Sequence, residues 1–283
     1  MEIKKMDPGQ VLIRKIKQCA ERDPANRGED GSRYFDTPLV GFASADDDLF
    51  TRYKSIIGSF HWTPKEVLAK AYGSVGPSAR TVICWILPIV ERTRLSNRKE
   101  NRYPSRRWAH TRHYGEQFND VLRKAVVDFL VERGGFAAAP MLMEEWSRVD
   151  DPEIGLASTW SERHAAFAAG LGTFSLSDGF ITPRGIAHRI GSVVTDMVVT
   201  PSRQPYRDHR ENCLTFRGLK CGECVTRCPV GAISLEGHDK ALCHGYTYGP
   251  PFRELGIKFG VKHVGCGLCQ TDVPCESRIP EGN

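Results

Sequence analysis

The 283-residue sequence lacks a long hydrophobic run, because its longest apolar stretch, residues 82–90, is interrupted by Pro88. A helix that spans a bilayer needs about 20 mostly apolar residues, so we expect no membrane contact. Residues 1–20 also lack an apolar segment followed by small residues, which argues against a secretory signal. These absences predict a cytoplasmic protein. Thiols stay reduced in the cytoplasm, so the ten cysteines predict something other than disulfides.

The sequence also lacks repeats, low-complexity tracts and a strong charge imbalance. Its formal net charge is +5 and its pI is about 8.7, with the basic residues spread along the chain. So mild an excess favours an anionic ligand or partner but does not predict nucleic-acid binding. Hydrophobic residues make up 40% and charged residues 26%, which is typical of a soluble globular protein.

Cysteines are scarce in the first two thirds of the chain. Only Cys19 and Cys84 precede residue 213, and both lie on apolar patterns that predict small buried side chains. The other eight cysteines follow within 63 residues of one another. This distribution predicts a cofactor- and substrate-binding body, residues 1–200, followed by a cysteine-rich module, residues 201–283. The polar residues 200–208, with two prolines, are typical of a linker.

Hydrophobic periodicity predicts a mixed α and β body. Asp7 is a candidate N-cap for a helix that begins at Pro8. The β-branched apolar run over residues 81–87 predicts a buried strand. The other predicted elements are helices over residues 115–133 and 160–169, a strand over residues 192–200, and an Arg- and His-rich loop over residues 90–115.

The late cysteines follow the pattern Cys213-x7-Cys221-x2-Cys224-x3-Cys228-Pro229, then Cys243, then Cys266-x2-Cys269-x5-Cys275. A [4Fe–4S] cluster takes four thiolates, and in two-cluster ferredoxins the cysteine before proline ligates the other cluster. The pattern therefore predicts two [4Fe–4S] clusters and an oxygen-sensitive redox protein. One predicted ligand set is Cys213, Cys221, Cys224 and Cys275; the second is Cys228, Cys243, Cys266 and Cys269.

The eight ligands follow more directly from this pattern than their division into two sets. Seven residues separate Cys213 from Cys221, and Pro274 precedes Cys275 instead of following it. A second interpretation is a pair of zinc sites built on the two C-x-x-C pairs. That interpretation leaves the other four cysteines and the Cys-Pro pair without a role, so the clusters are favoured.

Three blocks ahead of the cysteines carry a family resemblance. They are SERHAAFAAGLGTF at residues 161–174, GFITPRG at residues 179–185 and GSVVTDM at residues 191–197. With the cysteines behind them, over roughly residues 75–283, the chain resembles epoxyqueuosine reductases and reductive dehalogenases. The resemblance implies an α+β fold, with a nitroreductase-like, cobalamin-binding α/β body followed by a ferredoxin-like two-cluster module. It also implies a short member that lacks the helical-repeat extension used for tRNA.

The resemblance further implies that the clusters pass electrons from a ferredoxin- or flavodoxin-type donor to a base-off cobalamin, which reduces a small molecule. Small residues would let the backbone approach a flat macrocycle, and arginines would meet amides or anions. The implied cofactor-binding residues are Arg163, His164, Gly170, Leu171, Gly172, Ser175, Thr182, Arg189, Gly191 and Ser192. For the glycines, an alternative of equal weight is that they form a helix C-cap and a tight turn.

Two departures from the family concern its proton donors. Leu156 aligns with the family's catalytic aspartate, and Phe118 falls within its Asp-Tyr-His element. Reduction of epoxyqueuosine in tRNA is therefore not favoured, and nucleic acid is not a predicted partner. The candidate replacement acids are His113, Tyr114, Glu116 and Glu162. The loss of both family acids also favours a second hypothesis, in which the protein delivers low-potential electrons to a partner such as a corrinoid protein.

Overall fold

The computed structural model describes residues 7–73 and 76–282. Within these ranges the helices are α1 (Pro8–Arg22), α2 (Asp48–Ile56), α3 (Pro64–Tyr72), α4 (Glu91–Arg98), α5 (Arg106–Val131), α6 (Glu162–Ala168), α7 (Glu223–Thr226), α8 (Lys240–Tyr248) and α9 (Pro250–Phe259). The strands are β1 (Leu39–Ser44), β2 (Thr81–Pro88), β3 (Ala137–Ala138), β4 (Arg148–Asp151), β5 (Gly155–Ser158), β6 (Thr173–Phe174), β7 (Phe180–Ile181), β8 (His188–Thr195), β9 (Ile233–Ser234) and β10 (Gly237–His238). Short 3-10 turns cover Pro24–Asn26, Pro140–Leu142 and Leu268–Gln270. None of the described helices is long and apolar enough to cross a membrane.

A four-stranded antiparallel sheet with the order β1-β2-β8-β3 forms the centre of the protein. Strands β2 and β8 pair along their full length, from Thr81 opposite Thr195 to Pro88 opposite His188. Every residue of β2 is buried, because helices cover both faces of the sheet. The predicted mixture of helix and sheet is confirmed.

Alternate side chains of β2 enter two separate hydrophobic clusters. Cys84 and Ile86 pack with residues of α2, α3 and α6, and Cys84 is a buried core residue, as predicted. Trp85 and Leu87 point the other way and pack with α1 and α5. Successive side chains of a strand face opposite sides, so one apolar run supplies both cores. The sheet is thereby held rigidly between two helical layers.

The predicted loop over residues 90–115 is wrong, because it contains α4 and the first ten residues of α5. Helix α5 begins nine residues before the predicted position 115, with Ser105 as N-cap accepting a hydrogen bond from the backbone N–H of Trp108 at 3.1 Å. Trp108 and Thr111 are buried at helical spacing. Arginines and histidines around these two residues obscure this periodicity in the sequence.

Two other predicted boundaries also differ from the structure. The predicted strand over residues 192–200 is β8, which begins at His188 and ends at Thr195, opposite Thr81, where its antiparallel partner β2 begins. The predicted helix over residues 160–169 is α6, confined to Glu162–Ala168. By contrast, α1 begins at Pro8 with the Asp7 carboxylate accepting from the N–H of Gln10, as predicted.

The cysteine-bearing loops are fixed to α4 by polar contacts. The Arg227 guanidinium donates to the carbonyls of Asn97 and Glu100 near α4 and to those of Leu268 and Thr271 in the last loop. Glu276 is 2% exposed and accepts two hydrogen bonds from Arg98, at 2.8 and 2.9 Å. Arg98 and Glu276 form a salt bridge, and hydrogen bonds between charged groups are stronger than those between neutral groups. These contacts hold the loops that carry the cysteines against the body.

Candidate functional site

A cleft of about 990 Å³ opens between the body and the cysteine-rich tail. Its walls come from α5, the β4–β5 hairpin, α6 and α8. A volume of this size lies at the upper end for small-molecule sites, which span roughly 300–1,000 Å³. The cationic lining residues are Arg112, Arg148, Arg163, Arg189, Arg210, Lys240 and Lys262, and the acidic ones are Glu116, Asp120, Asp178 and Glu236.

One wall of the cleft is built on a buried ionic network. The Arg123 side chain is 1% exposed and donates to Glu116 and Glu162, at 2.9 Å each, and to Asp120 at 2.6 Å. Arg189 donates to the Glu116 carboxylate through Nε at 2.7 Å. Each charge in this wall therefore has a partner, as buried charges require.

The two carboxylates of this network are shifted in opposite directions. Burial raises the pKa of Glu116, but Arg189, Arg123 and Arg112 outweigh it and hold that pKa well below its usual range. Burial also raises the pKa of Glu162, and there the partners only partly offset it. Glu162 additionally accepts a hydrogen bond from Ser192 and does not line the cleft. Glu116 is thus ionised at neutral pH, and Glu162 lies behind the wall.

A second wall of the cleft carries a group that the sequence did not reveal. Tyr248, at the end of α8, lines the cleft beside Arg112 and Arg148. The Arg148 guanidinium carbon lies 5.5 Å from the centre of the Tyr248 ring. Burial raises the pKa of the Tyr248 phenol, but the charges of the two arginines outweigh it and the net shift is downward. These three residues lie far apart in the sequence, so no local motif joins them.

The other proposed acids on α5 fall in different places. His113 lines the cleft near His263, with their ring centres 6.0 Å apart. Burial, and then the charge of Arg112, lowers the pKa of His113, so it is neutral at pH 7. Tyr114 is not among the lining residues: its hydroxyl donates to the carbonyl of Gly260, and its ring stacks on Tyr34.

Four of the ten predicted cofactor-binding residues line the cleft: Arg163, His164, Ser175 and Arg189. Burial, and then Arg163, lowers the pKa of His164 to about 3, so its imidazole is neutral. Its Nδ1 lies 2.8 Å from the Ser161 hydroxyl. This part of the lining offers both charged and neutral hydrogen-bonding groups.

The other six predicted cofactor-binding residues lie outside the lining: Gly170, Leu171, Gly172, Thr182, Gly191 and Ser192. Gly170 follows α6 with a φ of 71°, which is the helix C-cap alternative. A Cβ at Gly191 would lie 2.5 Å from the Trp85 indole, so this glycine makes room for the protein's own side chain. Thr182 donates to the carbonyl of Gly185. These residues shape the scaffold beneath the site.

The first predicted set of cysteines surrounds a small cavity. Cys213, Cys221, Cys224 and Cys275 line it together with apolar residues such as Ile186. Burial, and then Cys224, Cys213 and Cys221, raises the pKa of Cys275. The structure therefore brings these four thiols, separated by up to 62 positions in the chain, to one place.

The second predicted set also converges. Burial raises the pKa of Cys266, and the charges of Cys243 and Cys228 raise it further. Cys269 is affected by the same neighbours and also by Cys224 of the first set. Cys269 thus lies between the two groups. Among residues 7–73 and 76–282, no three His, Cys, Asp or Glu side chains converge closely enough to hold a single metal ion.

Residues next to both cysteine groups line the large cleft. Ser175 lines the cleft and also the small cavity enclosed by the first group. Helix α8 carries Cys243 of the second group and presents His244 and Tyr248 to the cleft. The cleft and the thiols therefore share walls.

The fold is similar to those of two kinds of solved reductase structure. Epoxyqueuosine reductase from Bacillus subtilis matches with 21% identity and a TM-score of 0.50, over 96% of this chain and 68% of that chain. The catabolic reductive dehalogenase NpRdhA, in complex with 3-bromo-4-hydroxybenzoic acid, matches with 14% identity and a TM-score of 0.51, over 96% of this chain and 37% of that chain. An epoxyqueuosine reductase with a tRNA stem loop matches with 20% identity and a TM-score of 0.48. Neither a family model nor a curated protein matches the chain.

These likenesses establish the shared fold. The predicted resemblance and the predicted α+β class are confirmed, because both kinds of protein are among the similar structures. The chain spans 64% of the tRNA-bound reductase and 37% of the dehalogenase. A proposal for the activity of this chain therefore has to be based on its own cleft and cysteines.

Proposed function

We propose that the protein is an iron–sulfur oxidoreductase in which two [4Fe–4S] clusters pass electrons to a cobalamin in the cleft, where a small molecule is reduced. One observation carries this proposal: residues next to both groups of four cysteines line a single large cleft. Clusters side by side make an electron path, and that path needs an acceptor at its end. The fold shared with epoxyqueuosine reductase and NpRdhA supports a reductase.

The thiols fit a cluster better than a zinc ion. A zinc ion needs ligand atoms at about 2.0–2.3 Å, so its four cysteines must converge tightly. The first group instead surrounds a cavity, and no such tight convergence of three ligands occurs in the described ranges. A [4Fe–4S] cluster takes four thiolates around a larger body. The ferredoxin-like character of this module follows from that assignment.

The cleft lining fits a cobalamin. A corrin ring has apolar faces and a rim of amides, so its site must combine apolar surface with hydrogen-bonding groups. Phe174 and Leu176 supply apolar surface, while Arg163, Ser175 and Arg189 supply polar groups. When bound, cobalamin would supply reducing chemistry that no side chain has. The nitroreductase-like character of the body is part of this proposal.

The chain itself would hold the proton that a reduction consumes. Tyr248 lines the cleft and is the group suited to this role, whereas His113 also lines it but is neutral at pH 7. The adjacent arginines lower the pKa of the Tyr248 phenol, and they stabilise the phenolate that is left when the proton is donated. Glu116 is already ionised and Glu162 is outside the lining, so neither is assigned as the acid.

Iron content of air-free protein tests the clusters. We expect about eight iron and eight sulfide per chain, with an EPR signal after reduction. Cys224→Ala should lose about half of the iron, whereas Cys19→Ala, at a cysteine outside both groups, should lose none. Zinc in place of iron, or equal iron in the two variants, would contradict the assignment.

Retention of cobalamin tests the cleft independently. Anaerobic protein dialysed against cob(II)alamin should retain about one corrinoid per chain. Leu156→Trp places a large ring in the cleft lining and should reduce retention while leaving the iron count unchanged. Val131→Trp, on the exposed end of α5, is the matched control. Full retention by Leu156→Trp would remove cobalamin from this cleft.

An electron-delivery protein is the second candidate function. Leu156 lines the cleft at the position of the family's aspartate, so an apolar residue replaces an acid there. In this case the reduced clusters would be oxidised by a corrinoid protein partner, and the cleft would retain no cobalamin. Reduction of tRNA epoxyqueuosine is the less favoured activity, since it needs that same acid.

A further inference from the structure

The wall of the cleft around Tyr248 carries positive charge without matching negative charge. Near Glu116, Arg123 and Arg189 are balanced by the carboxylates of Glu116, Asp120 and Glu162. Arg112 is only partly balanced, because it lies 3.9 Å from the Glu116 carboxylate that those two arginines already share. Arg148 and Lys262 also line the cleft and have no ion-pair partner among the described residues. Two positive charges are therefore left over on this wall.

The histidines on this wall respond to the same positive charge. Burial lowers the pKa of His263, and Arg112, His113, Lys262 and Arg148 lower it further. The pKa of the Arg112 guanidinium is also lowered, chiefly by the like charge of Arg189. Cations held close together are costly unless an anion joins them. The protein thus maintains a positive potential inside a cleft that is open to solutes.

We propose that Arg112 and Arg148 bind a carboxylate or phosphate group of the molecule that occupies the cleft, with the Tyr248 hydroxyl as a further donor between them. Guanidinium groups present planar pairs of donors that match both anions. The inference deepens the proposed function, since it assigns an anionic ligand to the cleft in which reduction takes place.

The two arginines are held in different ways. The Arg112 stem packs on Gly265, where a Cβ would lie 2.8 Å from its Cγ, so its position is set by the loop that precedes Cys266. Arg148 begins β4 opposite Ser158 of β5 and is exposed. One guanidinium is therefore prepositioned inside the wall, and the other stands at its rim.

The position of the pair has a consequence for the substrate. An anion held between Arg112 and Arg148 lies beside Tyr248, the group assigned above to hold a proton. The rest of the ligand would extend toward the apolar surface of Phe174 and Leu176. The expected class is a small organic acid or phosphate ester whose reducible part lies away from its anionic group.

Binding of inorganic phosphate and of benzoate to the full chain, purified without air, tests this site. Both should quench the fluorescence of Trp146, which lines the cleft, or release heat on titration. Arg148→Gln should weaken binding about tenfold. Arg112→Met keeps the aliphatic stem against Gly265 and should weaken binding at least as much. Arg210→Gln is the matched control, since Arg210 lines the cleft but lies over Phe216, 4.4 Å from its ring centre.

Equal binding by the wild-type protein and both test variants would overturn the proposal, as would a loss in Arg210→Gln of the same size. Two sources of the anion are separated by a second titration with cobalamin and with cobinamide, which lacks the phosphate. A defect of Arg148→Gln for cobalamin alone assigns the site to the cofactor's phosphate. Cobalamin binding that is unaffected by Arg148→Gln assigns it to the substrate. Phosphate and benzoate binding needs no cobalamin. The binding result can therefore be interpreted even if the proposed reductase function fails.

Discussion

The two charged walls of the cleft differ in how their arginines are satisfied. On one wall, Arg123 is buried and shares hydrogen bonds with Glu116, Glu162 and Asp120. On the other wall, Arg148 is exposed and lies beside Tyr248, and no carboxylate of residues 7–73 or 76–282 forms an ion pair with it. The comparison separates charge that serves the fold from charge that is available to a ligand. Removing an arginine should therefore cost stability on the first wall and binding on the second.

Replacement of Arg123 should produce the largest effect. Arg123→Met leaves the carboxylates of Glu116 and Glu162 without their buried partner, which should cost about 3–5 kcal/mol in the free energy of unfolding. Arg148→Gln on the other wall should cost about 0.5 kcal/mol or less. Urea unfolding of both variants measures the difference. A loss below about 1 kcal/mol for Arg123→Met would break the contrast.

The pH dependence of stability should sharpen the contrast within the first wall. The pKa of Glu116 is lower in the folded protein than its unfolded value of about 4.3, so the native state binds fewer protons there. Its contribution is present above about pH 4.3 and is lost as the pH falls below that value. Glu116→Gln should therefore flatten the loss of stability between about pH 5 and pH 3.

Glu162 provides the control of opposite sign. Its pKa is raised by burial, so its contribution is present below about pH 4.3 and is lost as the pH rises through the folded value. Glu162→Gln should make the acid side of the stability profile steeper. Urea midpoints of the two variants at matched pH give the measurement. If the slope of stability against pH changed in the same direction in both variants, the opposite pKa shifts of the two carboxylates would be contradicted.

The sequence predicted one part of the site far better than the other. Cysteine spacing predicted eight cluster ligands in two groups, because ferredoxin-type spacing is a local property of the chain. The four thiols of the first group line one cavity, and the role of all eight as ligands stays a prediction. The second wall was missed, since Arg112, Arg148 and Tyr248 come from three separate elements and share no motif. Gly191 was assigned to the cofactor, yet its space is filled by Trp85 from the neighbouring strand.

Contacts between residues that are distant in the sequence also explain the errors in the predicted helices and strands. Strand β2 was predicted within one residue because an unbroken β-branched run has few alternatives. The start of α5 was placed nine residues late, since Arg106, Arg107 and His110 surround the buried Trp108 and weaken the apparent period. Tertiary burial of one face decides such a helix, and that burial is not visible in the local composition.

The smallest expected effect is on the titration of one tyrosine among eight. The charges of Arg112 and Arg148 lower the pKa of Tyr248, whereas burial raises that of Tyr53 and raises the pKa values of Tyr34 and Tyr246 to about 12. Tyr248 should therefore contribute to the first rise of phenolate absorbance near 295 nm, below the ordinary tyrosine pKa of about 10.

Two variants of the second wall and one control variant assign that signal. Tyr248→Phe should remove the early rise, and Arg148→Gln should move it to higher pH, because one of the two charges that favour the phenolate is gone. Arg210→Gln should leave it in place, since Arg210 lies over Phe216. An early rise that survives in Tyr248→Phe would assign it to another tyrosine and would remove the charge argument on which the second wall rests.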